Sequence, residues 1–257
     1  MSKKWLSGKV CIVTGGASGI GEAIAIKLAT NGGIVVVADK NEEKGKTVVS
    51  EMVKSGSKAF YVPTDVTQVD EVRVVVEKAK QYGPIQFLAN SAGLQTYGTA
   101  ESTSESSWDL TMDVNLKSMY LMAKSVIPEI RNNGGGAIVN ISSVQGIRSQ
   151  KNVLAYATSK AGAIALTRCM GLDHASEGIR VNCICPGSVD TPLLRFGATQ
   201  HGDEEEVLQE WGRHHPIGRI GTAEEIASLA IYLMSPEASF IVGQAIVADG
   251  GLGSIIL

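Results

Sequence analysis

Short apolar runs alternate along this chain with longer stretches in which apolar residues return every three or four positions. Runs at 9–14, 34–39, 59–63, 85–89, 137–142, 180–185 and 245–248 predict seven strands. The first six are apolar on both faces, as strands buried inside a parallel sheet are. The longer periodicity predicts helices over 20–31, 41–55, 67–82, 105–131, 153–177 and 222–234. Thr222 followed by Glu225 reads as a capping box, Thr67 as an N-cap ahead of Asp70 and Glu71, and Ser235-Pro236 as a helix stop. Strand and helix alternating this often predict one α/β domain over 1–257, a doubly wound parallel sheet with helices on both faces. The segment 187–221 interrupts the rhythm with Pro192, Gly197, Gly202 and the acidic run Asp203–Glu206. A connection of that length predicts a substrate loop or lid.

The size fits one domain: 257 residues, of which 44% are hydrophobic, can build a core and exclude a disordered chain. The formal charge of −3 offers no basic field for nucleic acid or anionic lipid. No apolar run reaches the roughly 18 residues needed to span a bilayer. The N-terminus carries no signal-peptide pattern, so a cytoplasmic location is expected. Cys11, Cys169, Cys183 and Cys185 lack zinc or redox spacing and read as core thiols. The histidines at 174, 201, 214 and 215 bring no metal-ligand pattern, and no metal is expected. His214-His215 reads as a loop pair near a pocket rim. Glycine is in excess, at 29 residues, which calls for tight turns and close backbone approach.

Ligands of such sheets bind at the carboxyl ends of the strands. After the first strand stands Thr14-Gly15-Gly16-Ala17-Ser18-Gly19-Ile20-Gly21, opening a helix. Its glycines permit a tight turn against a pyrophosphate, whose charge the helix N-terminus favours. Asp39 ends the second strand. A carboxylate there accepts hydrogen bonds from an adenosine ribose and repels a 2′-phosphate, which favours NAD over NADP; the adjacent Lys40 pulls the other way. Asp65-Val66 and Asn90-Ser91-Ala92-Gly93 end the third and fourth strands, where an adenine and its ribose would cross.

Tyr156 and Lys160 are four apart in a helical pattern and share a face. A nearby ammonium favours phenolate, so Tyr156 can exchange a proton in step with hydride transfer. Ser143, just past the fifth strand, can bond a substrate oxygen as charge develops on it. Asn115 lies in the preceding helical stretch, where it can hold a water leading to Lys160.

Over essentially its whole length the chain resembles a short-chain dehydrogenase/reductase. The family's glycine motif is Thr14 to Gly21, and its Asn-Asn-Ala-Gly is here Asn90-Ser91-Ala92-Gly93, with Ser for the second Asn. Its serine is Ser143, its Tyr-x-x-x-Lys is Tyr156 to Lys160, and its helix asparagine is Asn115. Pro186-Gly187, Val189 and Thr191 match the segment bordering the nicotinamide, and Asp249-Gly250-Gly251 also matches. The resemblance implies a Rossmann-type fold with Tyr156 as general acid/base. It implies that Lys160 lowers the tyrosine pKa and binds the nicotinamide ribose, that Ser143 positions the substrate oxygen, and that Asn115 supports a proton relay. Cofactor contacts are implied at Gly15, Ser18, Gly19, Ile20, Asp39, Asp65, Val66, Asn90, Ala92, Gly93, Tyr156, Lys160, Pro186, Gly187, Val189 and Thr191. A homotetramer is implied through the long helices and the C-terminal strand, with the apolar tail at 254–257 against a neighbour or packed locally.

The loops after strands four to six are polar. Gln95, Gln145, Arg148, Gln150 and Arg195 are the candidate substrate-binding residues. Hydroxyl-bonding groups suit a polyhydroxylated substrate, and the arginines can take an anionic group. The expected activity is NAD-dependent oxidation of a sugar, as an aldose 1-dehydrogenase, or of a polyol. The alternatives are a 3-oxoacyl-thioester reductase and a non-catalytic nucleotide-binding regulator.

Overall fold

The computed structural model describes residues 5–254. The tail expectation at 255–257 lies outside the described residues. The chain begins with β1 (Val10–Thr14), α1 (Gly19–Thr30), β2 (Ile34–Asp39), α2 (Glu42–Lys54), β3 (Lys58–Pro63), α3 (Val69–Lys80) and β4 (Ile85–Asn90). It continues with α4 (Glu105–Met112), a π-helical turn (Asp113–Lys117), α5 (Ser118–Asn132), β5 (Gly136–Ile141), α6 (Leu154–His174) and β6 (Ile179–Pro186). β7 (Val189–Asp190), α7 (Pro192–Thr199), α8 (Glu204–Arg213), β8 (Gly221–Thr222), α9 (Ala223–Met234) and β9 (Ala245–Ala248) complete it.

The main sheet has seven parallel strands in the order β3-β2-β1-β4-β5-β6-β9. Strand alternation divides the core in two. Cys11, Val13, Val35, Val37 and Ala89 face the layer that holds Ile24 and Leu28 of α1 and Ile226 and Leu233 of α9. Val10, Ile12, Val36 and Leu88 face Val72 and Val76 of α3 and Met122 and Val126 of α5. Strand order reverses between β1 and β4, so a crevice opens at the carboxyl ends there.

Several boundaries differ from expectation. β3 is an edge strand with Lys58 and Pro63 exposed, so it is not buried on both faces. Thr67 caps nothing; its hydroxyl and amide both bond Asp65 Oδ1, and α3 begins after Gln68. The helix read over 105–131 is divided by the π-helical turn. The 187–221 excursion is folded, as α7, α8 and the short pair β7-β8. Cys169 is exposed rather than a core thiol, because it lies on the outer face of α6. The capping box forms: Thr222 Oγ1 accepts from Glu225 N, and Glu225 Oε2 accepts from Thr222 N at 2.8 Å. Among the described residues no helix is long and apolar enough to cross a membrane, and no cluster of three or more His, Cys, Asp or Glu side chains could hold a metal.

Candidate active site

A cavity of about 1000 Å³ runs along the carboxyl ends of the strands. At one end it is lined by the β1–α1 turn and by Asp39, Lys40, Asp65 and Val66. The turn depends on Gly15, whose φ is +64°. A Cβ there would stand 2.7 Å from the Ala92 Cα, so no larger residue fits. Thr14 Oγ1 closes the same junction by accepting from the amides of Ser91 and Ala92 at 3.2 and 3.3 Å. Asp39 is held rather than free. Its Oδ2 accepts from Ala17 N at 3.1 Å and its Oδ1 from Asn41 N at 2.9 Å, while Tyr61 Oη donates to its carbonyl at 2.7 Å. A glycine cradle, an open helix N-terminus and a fixed carboxylate fit the phosphates and adenosine ribose of a dinucleotide.

At the other end Ser143, Tyr156 and Lys160 line one wall. Ser143 Oγ accepts from Gln145 N at 3.1 Å, which leaves its O–H to donate to the Tyr156 phenol oxygen or to a group in the cavity. Tyr156 is buried, and burial pushes its phenol up to about 12, with Ser143 pulling partly back by hydrogen bonding and Tyr97 adding to the rise. Lys160 is also buried, and burial brings its ammonium down to about 8. Its Nζ donates to Ile141 O at 3.0 Å and sits 5.5 Å from the Tyr156 ring centre. The expected lowering of the tyrosine by the lysine is therefore not met in this structure: burial dominates both groups.

Of the expected cofactor residues, Gly15, Ser18, Gly19, Ile20, Asp39, Asp65, Val66, Ala92, Gly93, Tyr156, Lys160, Pro186, Gly187, Val189 and Thr191 all line the cavity. Asn90 does not. Its side chain lies beneath the wall and donates to Asn140 Oδ1 at 2.8 Å, and Asn140 Nδ2 in turn donates to Thr167 Oγ1 at 2.9 Å. Asn115 is likewise behind the wall. It exchanges two 2.8 Å bonds with the Leu94 backbone and donates to Ser159 at 3.1 Å. Its Oδ1 and the Lys160 Nζ nonetheless converge on Gly93, each 3.5 Å from where a Cβ would stand. The π-helical turn carrying Asn115 aims it there; such turns recur at functional sites.

Gln95, Gln145, Arg148 and Gln150 line the cavity with Ser143 and Tyr156. Arg195 does not. It is held by Asp190 at 2.7 Å, Glu204 at 2.8 Å and Glu205 at 3.2 Å, and so is neutralised away from the cavity. Its place is taken by Arg213 and His214, from the end of α8, and by Leu252 and Gly253 beyond β9. The arginine that ends α8 carried no signal distinguishing it from Arg195. Among the described residues the only carboxylates in the lining are Asp39 and Asp65, at the end with the β1–α1 turn, whereas Arg148 and Arg213 form no ion pair. The end with Ser143 and Tyr156 thus carries cations and no carboxylate, whereas Lys40 accompanies the two carboxylates at the other end.

A family model described as enoyl-(acyl carrier protein) reductase matches residues 15–253. The chain is 40% identical over 247 residues to dehydrogenase/reductase SDR family member 6 of Aquarana catesbeiana, covering 96% of this chain and 98% of that one. It is 38% identical over 249 residues to a 3-oxoacyl-(acyl-carrier-protein) reductase of Chlamydia muridarum, again covering 96% and 98%. Among solved structures, the aldohexose dehydrogenase of Thermoplasma acidophilum superposes with a TM-score of 0.90 at 38% identity, over 98% of this chain and 96% of that one.

Proposed function

Since the chain belongs to the short-chain dehydrogenase/reductase family and is thus an oxidoreductase of CH–OH or carbonyl groups with a nicotinamide cofactor, we propose that it uses NAD to oxidise a sugar or polyol that carries an anionic group. The carrying observation is Gln145. Its Oε1 is buried in the wall beside Ser143 without a hydrogen-bond partner among the described residues. A buried acceptor left unpaired costs about 1–3 kcal/mol, and a turn of the Gln145 side chain into the cavity would bring it to a substrate hydroxyl. Arg148 and Arg213 supply the charge-assisted donors for a carboxylate or sulfonate. The likeness to an aldohexose dehydrogenase supports the sugar reading, and Asp39 supports NAD.

The bound nicotinamide supplies the hydride acceptor in oxidation and the hydride donor in reduction. The remaining steps fall to the chain's own groups. Ser143 donates its O–H to the substrate oxygen. Tyr156 takes the alcohol proton as the C–H bond breaks, and the C–O single bond becomes a carbonyl. The proton then leaves by Lys160 and the Asn115 side towards solvent. Lys160 keeps N–H donors beyond its Ile141 bond, enough to hold a ribose hydroxyl at Gly93.

The test is formation of reduced cofactor with NAD and with NADP across aldoses, sugar acids, sulfonated sugars, neutral polyols and simple secondary alcohols. Turnover of an anionic sugar with NAD, with KM raised about tenfold or more in Arg148→Met and Arg213→Met, is the expected result. The similarity to a 3-oxoacyl-(acyl-carrier-protein) reductase supports a second reading, reduction of 3-oxoacyl thioesters. Activity confined to such thioesters with NADPH would replace the first reading with the second. Binding of NAD with no turnover of any substrate would favour a regulator.

A further inference from the structure

We propose that His215 is a positioning residue that fixes the nicotinamide end of the cavity through the backbone amide of Ser188. His215 is buried, and none of the chemistry above uses it. Its Nδ1 lies 2.8 Å from the carbonyl of Trp211, and its Nε2 lies 3.2 Å from the amide of Ser188. An amide can only donate and a carbonyl can only accept. The ring is therefore neutral with its proton on Nδ1: that nitrogen donates to Trp211, and Nε2 accepts from Ser188.

Three stretches of chain meet at this ring, and each carries part of the cavity wall. The first is the end of α8, whose Trp211 carbonyl accepts from His214 N at 3.2 Å and takes the imidazole as a second donor, and whose Arg213 and His214 line the substrate side. The second is the exit of β6. Gly187 can have no side chain here, because a Cβ would stand 2.9 Å from His215 Nε2 and 3.0 Å from Asp249. Pro186, Gly187, Ser188, Val189 and Thr191 all follow from the direction taken at that point, and all line the cavity. The third is the exit of β9. Gly250 packs on the His215 ring, its Cβ position 3.6 Å from the ring's Cδ2, and its carbonyl accepts from Ile217 N at 3.2 Å. Beyond it, Asp249 folds the segment over the site by accepting from the amides of Gly251 at 3.0 Å and Gly253 at 2.6 Å. One imidazole thus ties the substrate helix, the cofactor segment and the C-terminal strap together.

The two ring nitrogens have separable jobs, and two substitutions separate them. His215→Gln reaches the Nε2 position with an acceptor oxygen and keeps the Ser188 bond. His215→Asn reaches only the Nδ1 position, keeps the Trp211 bond and abandons Ser188. The inference rests on residues 186–191 forming the nicotinamide end, so Gly187→Ala serves as the control for that reading. The experiment titrates NADH into the full-length protein by fluorescence and measures thermal unfolding with and without NADH. Weakening of NADH by about tenfold in His215→Asn, with near-native affinity in His215→Gln, is expected, since one buried hydrogen bond is worth about that factor. Unfolding without NADH should be shifted similarly in both variants, while the NADH-induced rise should shrink only in His215→Asn. Equal NADH affinity in the two variants, or a loss that tracks unfolding temperature alone, would overturn the proposal. Unchanged NADH affinity in Gly187→Ala would instead overturn the assignment of the segment.

Discussion

The amide of Ala17 donates to Oδ2 of Asp39 at 3.1 Å, so the glycine-rich turn itself holds the carboxylate at the end of β2. The second oxygen is fixed by Asn41 N at 2.9 Å. A carboxylate positioned in this way accepts from a ribose diol and repels a phosphate on the same ribose. Lys40 also lines the cavity but is exposed, where a cation is screened. Asp39→Ala should lower the NAD:NADP ratio of kcat/KM by about tenfold or more, about 1.4 kcal/mol of discrimination. Steady-state kinetics with both cofactors check this, and an unchanged ratio would remove Asp39 from cofactor choice.

Tyr156 gives the activity its pH dependence. Burial holds its phenol up to about 12, so the proton it must lose for oxidation leaves more readily as pH rises. Oxidative kcat/KM should therefore climb across pH 7 to 10, and reduction should be favoured as pH falls. Tyr156→Phe should cost about 100- to 10,000-fold in kcat with cofactor binding retained. A flat oxidative profile would mean that another group handles the proton.

Lys160 trades stability for function. Burial brings its pKa from 10.5 down to about 8, so the folded state releases this proton at lower pH than the unfolded chain does. The unfolded chain binds more protons between about pH 8 and 10.5, and stability rises with pH through that window. The cost of burying the charge is fully present at neutral pH. Lys160→Met should therefore unfold at a higher temperature than the native chain at pH 7, by about 1–3 kcal/mol, while turnover collapses. The gap should close by about pH 10.5. A destabilised variant at pH 7 would show that the bond to Ile141 outweighs the desolvation.

Much of the architecture is legible in the sequence because parallel strands are buried on both faces. β2, buried on both faces except at Asp39, starts and ends where its apolar run does; β9 does so too, although it is an edge strand with no buried residue. The turn at Gly15 and the pair Tyr156–Lys160 are local patterns, and local patterns survive without knowledge of the fold. What the sequence conceals depends on distant partners. The π-helical turn around Asn115 leaves the apolar periodicity of its helix uninterrupted, so 105–131 reads as one element. Arg195 and Arg213 look alike in a polar loop; only the folded chain brings Glu204 and Glu205 onto one and leaves the other facing the cavity. Thr67 has the composition of a cap, yet the carboxylate two residues earlier takes its hydroxyl. His215 is one of two adjacent histidines, and nothing local says that its partners are Trp211 and Ser188.

Arg180 supplies a test of what holds the wall in place from behind. It rises from β6, six residues before Pro186, and its guanidinium donates to four main-chain carbonyls: Leu233 at 2.6 Å, Ala238 and Met234 at 3.0 Å, and Ser235 at 2.9 Å. Two of these carbonyls belong to the last turn of α9, which no intrahelical donor reaches, and the positive charge also opposes the negative end of the helix dipole. Pro236 cannot donate to them, so the arginine is their principal partner. Half-burial disfavours the charge and lowers the guanidinium pKa from its ordinary value, but the group stays charged throughout the physiological range. Arg180→Met keeps most of the apolar stem and leaves the Leu233 and Met234 carbonyls unpaired, while Ser235 and Ala238 keep Ala238 N and Ile241 N as donors, at an expected cost of about 2–4 kcal/mol. Arg180→Lys should recover only part of this, because a single ammonium cannot span four acceptors. Urea unfolding of both variants measures the difference. Since α9 packs on the sheet between α1 and β6, the Met variant should lose cofactor affinity in step with stability, whereas a Met variant as stable as the native chain would show that water satisfies these carbonyls equally well.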